Sequence, residues 1–496
     1  MAQLSHLNGS TIFRDRIHND PHSTLYYGLI YQVSRFFGDG ESLRILSVMF
    51  SILALGVFYQ LSRLFFNQKV SVYALLVMAI SPVHIWYAQE ARVYSLAVFL
   101  TLSMVYLFIR ALNTDQWRYW IGFSILGVLS LFATYYAVFL LSIFVVAMNF
   151  KDNKPKMKKW FLAMVIMAAV SSFYLPVFSS QVSFVKEDFW LPSPTPGMFL
   201  FTWMIFSLGY SAGIIQYSIG LVIFLILFFW GFYVCFNESR TKAVLILLLG
   251  VAPIILIYFL SLKVIPLYIN RQLLIFSPYY FLLIAKGIEG ITSKKDQNFV
   301  VICILLLQVS CLYNYYRNYM FDHPARALYF TGVVPKKNYW SQFDYVKDHF
   351  KKGDRIVVTD TQAYVMVFSY LLKHSGEKLP LSFEQFRFFM FPKLMQRFDN
   401  RFLKINALLR MIPQDKIDQM QVFVPLPNGT MLLMDDSTVD QNFERVWLII
   451  ASWHNDGVES KILGLNSQNV RRYMDMHYTK TLKKTKDGVY VELYEK

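Results

Sequence analysis

The chain has 496 residues, of which 55% are hydrophobic and 18% aromatic, while only 16% are charged. This composition excludes an ordinary soluble chain and points to a protein of the membrane. The net charge of +16 would suit a nucleic-acid binder, but much of the excess sits in short breaks between apolar runs. There it orients helices in a bilayer, so nucleic acid is disfavoured as a partner.

Residues 1–20 are polar, and 25–37 read as an amphipathic, Tyr- and Phe-rich segment suited to an interface. No signal peptide precedes it. From Ile45 onward, apolar runs long enough to cross about 30 Å of hydrocarbon recur. They fall at 45–66, 70–87, 93–112, 119–134, 136–150, 160–178, 214–236, 243–262, 271–290 and 298–316, which gives about ten predicted spans. The apolar stretch 198–212 is shorter and reads as re-entrant or interfacial.

Lys and Arg set the orientation. The breaks at 151–159, Arg240 to Lys242 and Lys294-Lys295 share one face with Lys69, Arg110 and Arg118, and that face is assigned to the cytoplasm. The turn Gln89-Glu90-Ala91-Arg92, the 179–197 loop, the 263–271 turn and the C-terminal part then fall on the other face. So does the N-terminus. A polar, signal-less N-terminus is not readily exported, so the parity implies that one preceding span is missing from this chain.

After Met320 the composition becomes that of a soluble domain. Residues 340–375 read as helix, strand at 355–359, then helix, with Gly353-Asp354 turning between the first two. Further strands fit 421–424, 431–434, 446–452 and 489–494. This alternation predicts a small α/β domain outside the membrane. The predicted organisation is an outer loop with an interfacial helix at 1–44, a transmembrane domain at 45–316 and an extracytoplasmic α/β domain at 317–496. Cys235, Cys303 and Cys311 lie in or beside apolar runs, with neither a disulfide framework nor zinc-site spacing, and read as small apolar helix residues.

Four polar groups share the non-cytoplasmic face in this topology. They are 19–27 with Asp20, His22, Tyr26 and Tyr27; the turn with Glu90 and Arg92, preceded by His84, Trp86 and Tyr87; 186–192 with Trp190; and Asn270-Arg271-Gln272. Two carboxylates on one membrane face, Asp20 and Glu90, suit general-base chemistry or a divalent metal, for which Asp20, Glu90 and His22 are the candidate ligands. An Arg at the outer end of a span suits a phosphate at headgroup depth. Aromatic rings near a mouth suit sugar rings, although Trp and Tyr mark membrane interfaces in general. Plainer readings stand beside these: Glu90 and Arg92 as a structural pair, Asp20 as a solvated carboxylate, Arg271 as a snorkelling anchor, His22 and His84 as packing residues, and 186–192 as a connector.

On these residues the chain resembles the GT-C glycosyltransferases of the protein O-mannosyltransferase and aminoarabinose-transferase type, particularly bacterial members. Asp20-Pro21-His22-Ser23-Thr24-Leu25-Tyr26-Tyr27 is similar to the family's Asp-x-His-Pro-Pro-Leu-Tyr-Tyr. The run Ser81–Leu96, with Gln89-Glu90-Ala91-Arg92-Val93-Tyr94 at its heart, is similar to Ser-Pro-x-x-x-x-Tyr-Ser-Gln-Glu-Ala-Arg-x-Tyr-x-Leu. Arg271, with Pro278 following, resembles the Arg-Tyr-x-x-x-x-x-Pro that opens a late helix of the family.

The resemblance implies a polytopic all-α GT-C-like bundle in the cell membrane, in a bacterium the inner membrane. It implies transfer of a hexose or pentose from a polyprenyl-phosphate donor to a protein, lipid or glycan acceptor on the periplasmic or lumenal face. Asp20 and Glu90 would be catalytic, and Arg271 would meet the donor phosphate. His22, Tyr26, Tyr27, Tyr87, Gln89, Arg92, Tyr94 and Trp190 would line the substrate site. The family's first helix and its terminal Asp-Glu pair have no counterpart in this sequence, and Ser23-Thr24 replaces the Pro-Pro. The alternatives are therefore a truncated, inactive member with a binding role, or a polysaccharide ligase or polymerase. A transporter fits less well, since two related halves with paired broken helices are not evident.

Overall fold

The computed structural model describes residues 24–37, 42–148, 151–179, 193–264 and 267–317, and then 345–346, 348–351, 354–358, 386–389, 421–425, 431–433, 444–451, 474–476, 478–486 and 489–496. The chain divides into two units, Met1–Val333 and Val334–Lys496. Asp20, His22 and Trp190 lie outside the described residues.

The first unit is helical. A short helix α1 (Thr24–Phe37) precedes α2 (Ser42–Phe65), whose 24 residues give a length of about 36 Å at 1.5 Å per residue, enough to cross a bilayer. Asn67 ends the turn that follows, and its side-chain Oδ1 accepts from Val70 N at 3.0 Å to cap α3 (Gln68–Ala79). The predicted span at 70–87 is broken. Pro82 lacks an N–H and forces Ser81 out of the helical region, to φ −57° and ψ 119°, so that α4 (Pro82–Ala88) leaves α3 at 59°.

Next come α5 (Tyr94–Thr114), α6 (Trp117–Ala133), α7 (Ala137–Met148) and α8 (Met157–Ser172), then α9 (Pro196–Leu208) and α10 (Ile214–Glu238). α11 (Arg240–Gly250) and α12 (Ala252–Lys263) run as one span, Arg240–Lys263, that Pro253 interrupts. A helical turn α13 (Asn270–Leu273) and a 3₁₀ turn (Leu274–Phe276) lead into α14 (Ser277–Glu289), and α15 (Lys294–Tyr316) closes the bundle.

Among the described residues, five stretches are long and apolar enough to cross a membrane: Leu43–Phe65, Tyr94–Thr114, Ile214–Glu238, Arg240–Lys263 and Lys294–Tyr316. The bent α3–α4 pair makes a sixth, and Trp117–Ala133 and Pro196–Leu208 are shorter apolar helices. The predicted spans at 136–150 and 160–178 correspond to the 12-residue α7 and the 16-residue α8. Large apolar side chains such as Ile52, Ile226, Phe229, Phe259, Phe299 and Leu306 are exposed. In water they would form aggregation-prone patches, whereas in a bilayer they face hydrocarbon. The chain is a multi-pass membrane protein.

Without a hydrophobic force between helices in lipid, close backbone packing and polar contacts bind the bundle. α10 and α14 pack directly on each other, with Gly231 against Gly287. A Cβ at Gly231 would stand 1.9 Å from the Leu283 carbonyl oxygen, so only glycine permits the crossing. At one end of this pair, buried Lys286 donates to Glu238 and to Glu289, both at 2.7 Å.

The described residues of the second unit form a seven-stranded mixed sheet of order β4-β3-β2-β1-β5-β7-β6, where β1 is Arg355–Val358, β2 Phe386–Phe389, β3 Gln421–Pro425, β4 Met431–Leu433, β5 Arg445–Ala451, β6 Thr479–Lys486 and β7 Val489–Glu495. β1 pairs parallel with β2 and β5, and β2 with β3. β3–β4, β5–β7 and β6–β7 pair antiparallel. Parallel neighbours require crossover connections, and most of the intervening chain, with the helices expected there, lies outside the described residues. Beside β1, the buried Asp354 carboxylate accepts from Trp447 Nε1 at 2.8 Å and from Lys351 N at 3.0 Å.

Candidate functional site

The break at Pro82 decides how the Gln89–Arg92 turn is presented. α4 is only seven residues long, and it buries His84, Trp86 and Tyr87 on one side. It is wedged in place by the non-helical link after α9. Gly209 there has φ +72°, and a Cβ on it would stand 2.8 Å from Pro82 Cβ, so both the conformation and the contact require glycine. His84 Nε2 and Ser277 Oγ lie 2.8 Å apart, which ties α4 to the start of α14.

After α4 the backbone bends, with Arg92 N donating to the Glu90 carbonyl at 2.7 Å, before α5 begins at Tyr94. Glu90 is half-buried. Its Oε1 accepts a 2.8 Å hydrogen bond from the indole Nε1–H of Trp86, one helical turn back. Glu90 also lies within electrostatic reach of Arg92 across the turn, while its hydrogen bond goes to Trp86. The Trp86 ring packs against two aromatic neighbours, with centroids 5.4 Å from Tyr210 and 5.0 Å from Tyr315.

Gln89 is engaged at both ends of its amide. Its Oε1 accepts from Tyr315 Oη–H at 2.9 Å, and its Nε2 donates to Tyr316 Oη at 2.8 Å. The hydroxyls of Tyr87 and Tyr210 meet at 2.7 Å within the core. From the other side, Tyr26 of α1 hydrogen-bonds Ser47 of α2 at 2.5 Å, and Ser47 Oγ donates in turn to the Arg92 carbonyl at 3.4 Å. Burial pushes the Tyr26 hydroxyl up to about 12, with the Ser47 bond opposing and Glu90 adding to the rise. Tyr26, Tyr87 and Tyr94 are almost fully buried. They stand behind the half-buried Gln89 and Glu90 and the exposed Arg92.

Arg271 opens α13 and is half-buried. It is joined to the turn through tyrosines: Tyr210 lies within electrostatic reach of both Arg271 and Glu90, and Tyr136 within reach of both Arg271 and Tyr94. Tyr136 donates to the Leu267 carbonyl, and Thr134 Oγ1 donates to Gln272 Oε1 at 3.3 Å, which fixes the approach to α13. The structure thus gathers Glu90, Arg92, Tyr94, Tyr26, Tyr27 and Arg271 into one neighbourhood. The residues that sequence reasoning left out are Tyr210, Tyr315 and Tyr316, while Trp86, noted beside the turn, was given no role. Tyr210 follows a helix read as re-entrant, and the two others end the last span, where no motif marks them.

The described residues do not by themselves make a divalent-metal site. Among them no three His, Cys, Asp or Glu side chains gather, and Glu90 offers a single carboxylate. Asp20 and His22, the other candidate ligands, lie outside the described residues. The arrangement therefore offers one oriented carboxylate and two guanidinium groups, Arg92 and Arg271, within a wall of tyrosines.

The architecture has the fold of known membrane sugar transferases. It is similar to the crystal structure of ArnT from Cupriavidus metallidurans in the apo state, with a TM-score of 0.55 and 8% identity, over 95% of this chain and 87% of that one. The same protein bound to undecaprenyl phosphate gives a TM-score of 0.53 and 11% identity, with the same coverage. At these identities the likeness establishes the fold. The family model for dolichyl-phosphate-mannose-protein mannosyltransferases matches residues 23–178, a stretch that includes the whole Gln89–Arg92 turn. The GT-C resemblance read from the sequence therefore holds. No curated protein matches the chain.

Proposed function

We propose that this chain is an integral membrane glycosyltransferase that takes a hexose or pentose from a polyprenyl-phosphate donor. It passes the sugar to a protein, lipid or glycan acceptor on the extracytoplasmic face, the periplasmic face of a bacterial inner membrane. The single observation that carries this reading is the oriented carboxylate of Glu90 sharing one tyrosine-walled neighbourhood with Arg92 and Arg271. The mannosyltransferase family match over residues 23–178 supports it, as does the ArnT-like fold, since one ArnT structure holds undecaprenyl phosphate.

In this reading Arg271 and Arg92 receive the donor phosphate, because guanidinium groups bind phosphate oxygens through paired N–H donors. A carboxylate, Glu90 or Asp20, takes the proton from the acceptor hydroxyl as its oxygen attacks the anomeric carbon. The bond from that carbon to the phosphate oxygen breaks on the opposite face, and the electron pair leaves with the lipid phosphate. The configuration at the sugar inverts. Tyr27 and Trp190 contribute rings against which the apolar faces of a sugar can lie. Residues 317–496 serve as an extracytoplasmic α/β domain.

The test uses the purified full chain in liposomes with a panel of radiolabelled undecaprenyl-phosphate sugars, reading sugar transfer from the lipid. Glu90→Gln keeps the volume and removes the charge, so it should reduce transfer by about 10²–10⁴-fold while leaving the protein inserted and folded. Transfer at the unaltered rate would sink the assignment.

A further inference from the structure

We propose that Gln89, Tyr315 and Tyr316 form a positioning clamp for Glu90, so that Gln89 acts on transfer through the carboxylate beside it and not as a ligand of the donor. This rests on the reading of Glu90 as a catalytic carboxylate. The turn that carries Glu90 has three backbone bonds of its own, Gln89 N to the Trp86 carbonyl and Glu90 N to the Tyr87 carbonyl, both at 3.3 Å, and Arg92 N to the Glu90 carbonyl at 2.7 Å. A bend of that kind does not fix its own rotation, whereas productive transfer needs the carboxylate held within a fraction of an ångström.

Tertiary contacts supply the missing constraint. Tyr315 grips the site twice: its hydroxyl donates to Gln89 Oε1 at 2.9 Å, and its ring lies 5.0 Å from that of Trp86, the residue whose N–H holds Glu90. Tyr316 takes the other end of the Gln89 amide at 2.8 Å. The side chain preceding Glu90 and the side chain hydrogen-bonded to it are therefore both set by one turn of α15, more than 220 residues away in sequence.

That turn is itself anchored. Asn314 Nδ2 donates to the Ser211 carbonyl at 3.1 Å and to Gln216 Oε1 at 2.9 Å. One helical stretch earlier, Gln308 Nε2 donates to the Ser207 carbonyl at 3.2 Å and the Val77 carbonyl at 3.4 Å. The clamp thus stands on α15, α9 and the start of α10, and reaches the turn from a fixed base. An amide engaged in this way orients its neighbours, while a donor ligand needs its polar atoms turned to the substrate.

The test compares Gln89→Leu, Tyr315→Phe and their double variant with the unaltered full chain, measuring undecaprenyl phosphate affinity and transfer at saturating donor. Each single variant should bind undecaprenyl phosphate within about two-fold of the unaltered chain and turn over about 10–100-fold more slowly. The double variant should be no slower than the slower single, because both break the same contact. Tyr315→Phe keeps the ring against Trp86, and an unchanged melting temperature in detergent separates misplacement from misfolding. Weaker lipid binding with unchanged turnover would make Gln89 a donor ligand and overturn the clamp. Unaltered binding and turnover in both variants would overturn it as well. Glu90→Gln, run alongside, separates the two claims: if it is inactive while the clamp variants are fully active, only the clamp fails, and if it is active, the reading of Glu90 fails.

Discussion

The indole N–H of Trp86 and the carboxylate of Glu90 meet at 2.8 Å, one helical turn apart, at the end of a seven-residue helix that Pro82 begins. The donor of that bond is packed against the rings of Tyr210 and Tyr315. A hydrogen bond to a charged group contributes about 1.5–3 kcal/mol. Trp86→Phe keeps most of the ring packing and removes the donor, so it should slow transfer by about 10–100-fold, a fold-change that corresponds to that range. Steady-state transfer kinetics check this, and an unchanged turnover would show that Glu90 needs no indole.

Arg271 offers a distinction between charge and shape. Arg271→Lys keeps the cation and loses the planar fork, so donor KM should rise by about ten-fold, and Arg271→Ala should raise it by about ten-fold more. Both should insert and melt like the unaltered chain. If Arg271→Ala melts earlier with donor KM unchanged, Arg271 is a membrane anchor.

Lys286 is only 3% exposed, and it joins the ends of α10 and α14 through Glu238 and Glu289. Lys286→Met leaves two carboxylates facing each other without their cation. Glu238 is 56% exposed, so the cost should be about 2 kcal/mol, below the 3–5 kcal/mol of a fully buried pair. Thermal melting in detergent should show the loss, and Glu238→Gln combined with Glu289→Gln should restore much of it.

Asp115, between α5 and α6, is hydrogen-bonded at 2.8 Å by the Lys159 ammonium of α8, which holds its carboxyl below its ordinary value. A carboxylate whose value is lower in the folded state stabilises the fold above its unfolded value, about 4, and loses that contribution as the pH falls through the folded one. Stability should therefore decline on acidification below about pH 4, and Asp115→Asn should abolish that part of the decline. Because both partners are substantially exposed, the change near neutral pH should stay within about 1 kcal/mol. Melting temperatures across pH, with and without the substitution, check both statements.

The sequence by itself determined the membrane class, since composition and the length of apolar runs answer directly to the thickness of hydrocarbon. It also marked the Gln89–Arg92 turn, because a carboxylate and a guanidinium between two spans violate the apolar pattern, and Arg271 for the same reason. In the second unit the reading placed strands at 355–359, 421–424, 431–434, 446–452 and 489–494, where β1, β3, β4, β5 and β7 lie. It missed β2, a four-residue run with an Arg among three Phe, and β6, because Thr479–Lys486 is a lysine-rich edge strand with little apolar alternation.

Only the tertiary structure decided that the span at 70–87 breaks at Pro82, and so how Glu90 is presented. It alone brought Tyr210, Tyr315 and Tyr316 to the turn. Local periodicity reports which face of a helix is apolar, but a partner more than 100 residues away leaves no trace in it. The aromatic side chains that hold the site look, in sequence, like any others in a chain this rich in them. Distance along the chain hid them, and packing revealed them.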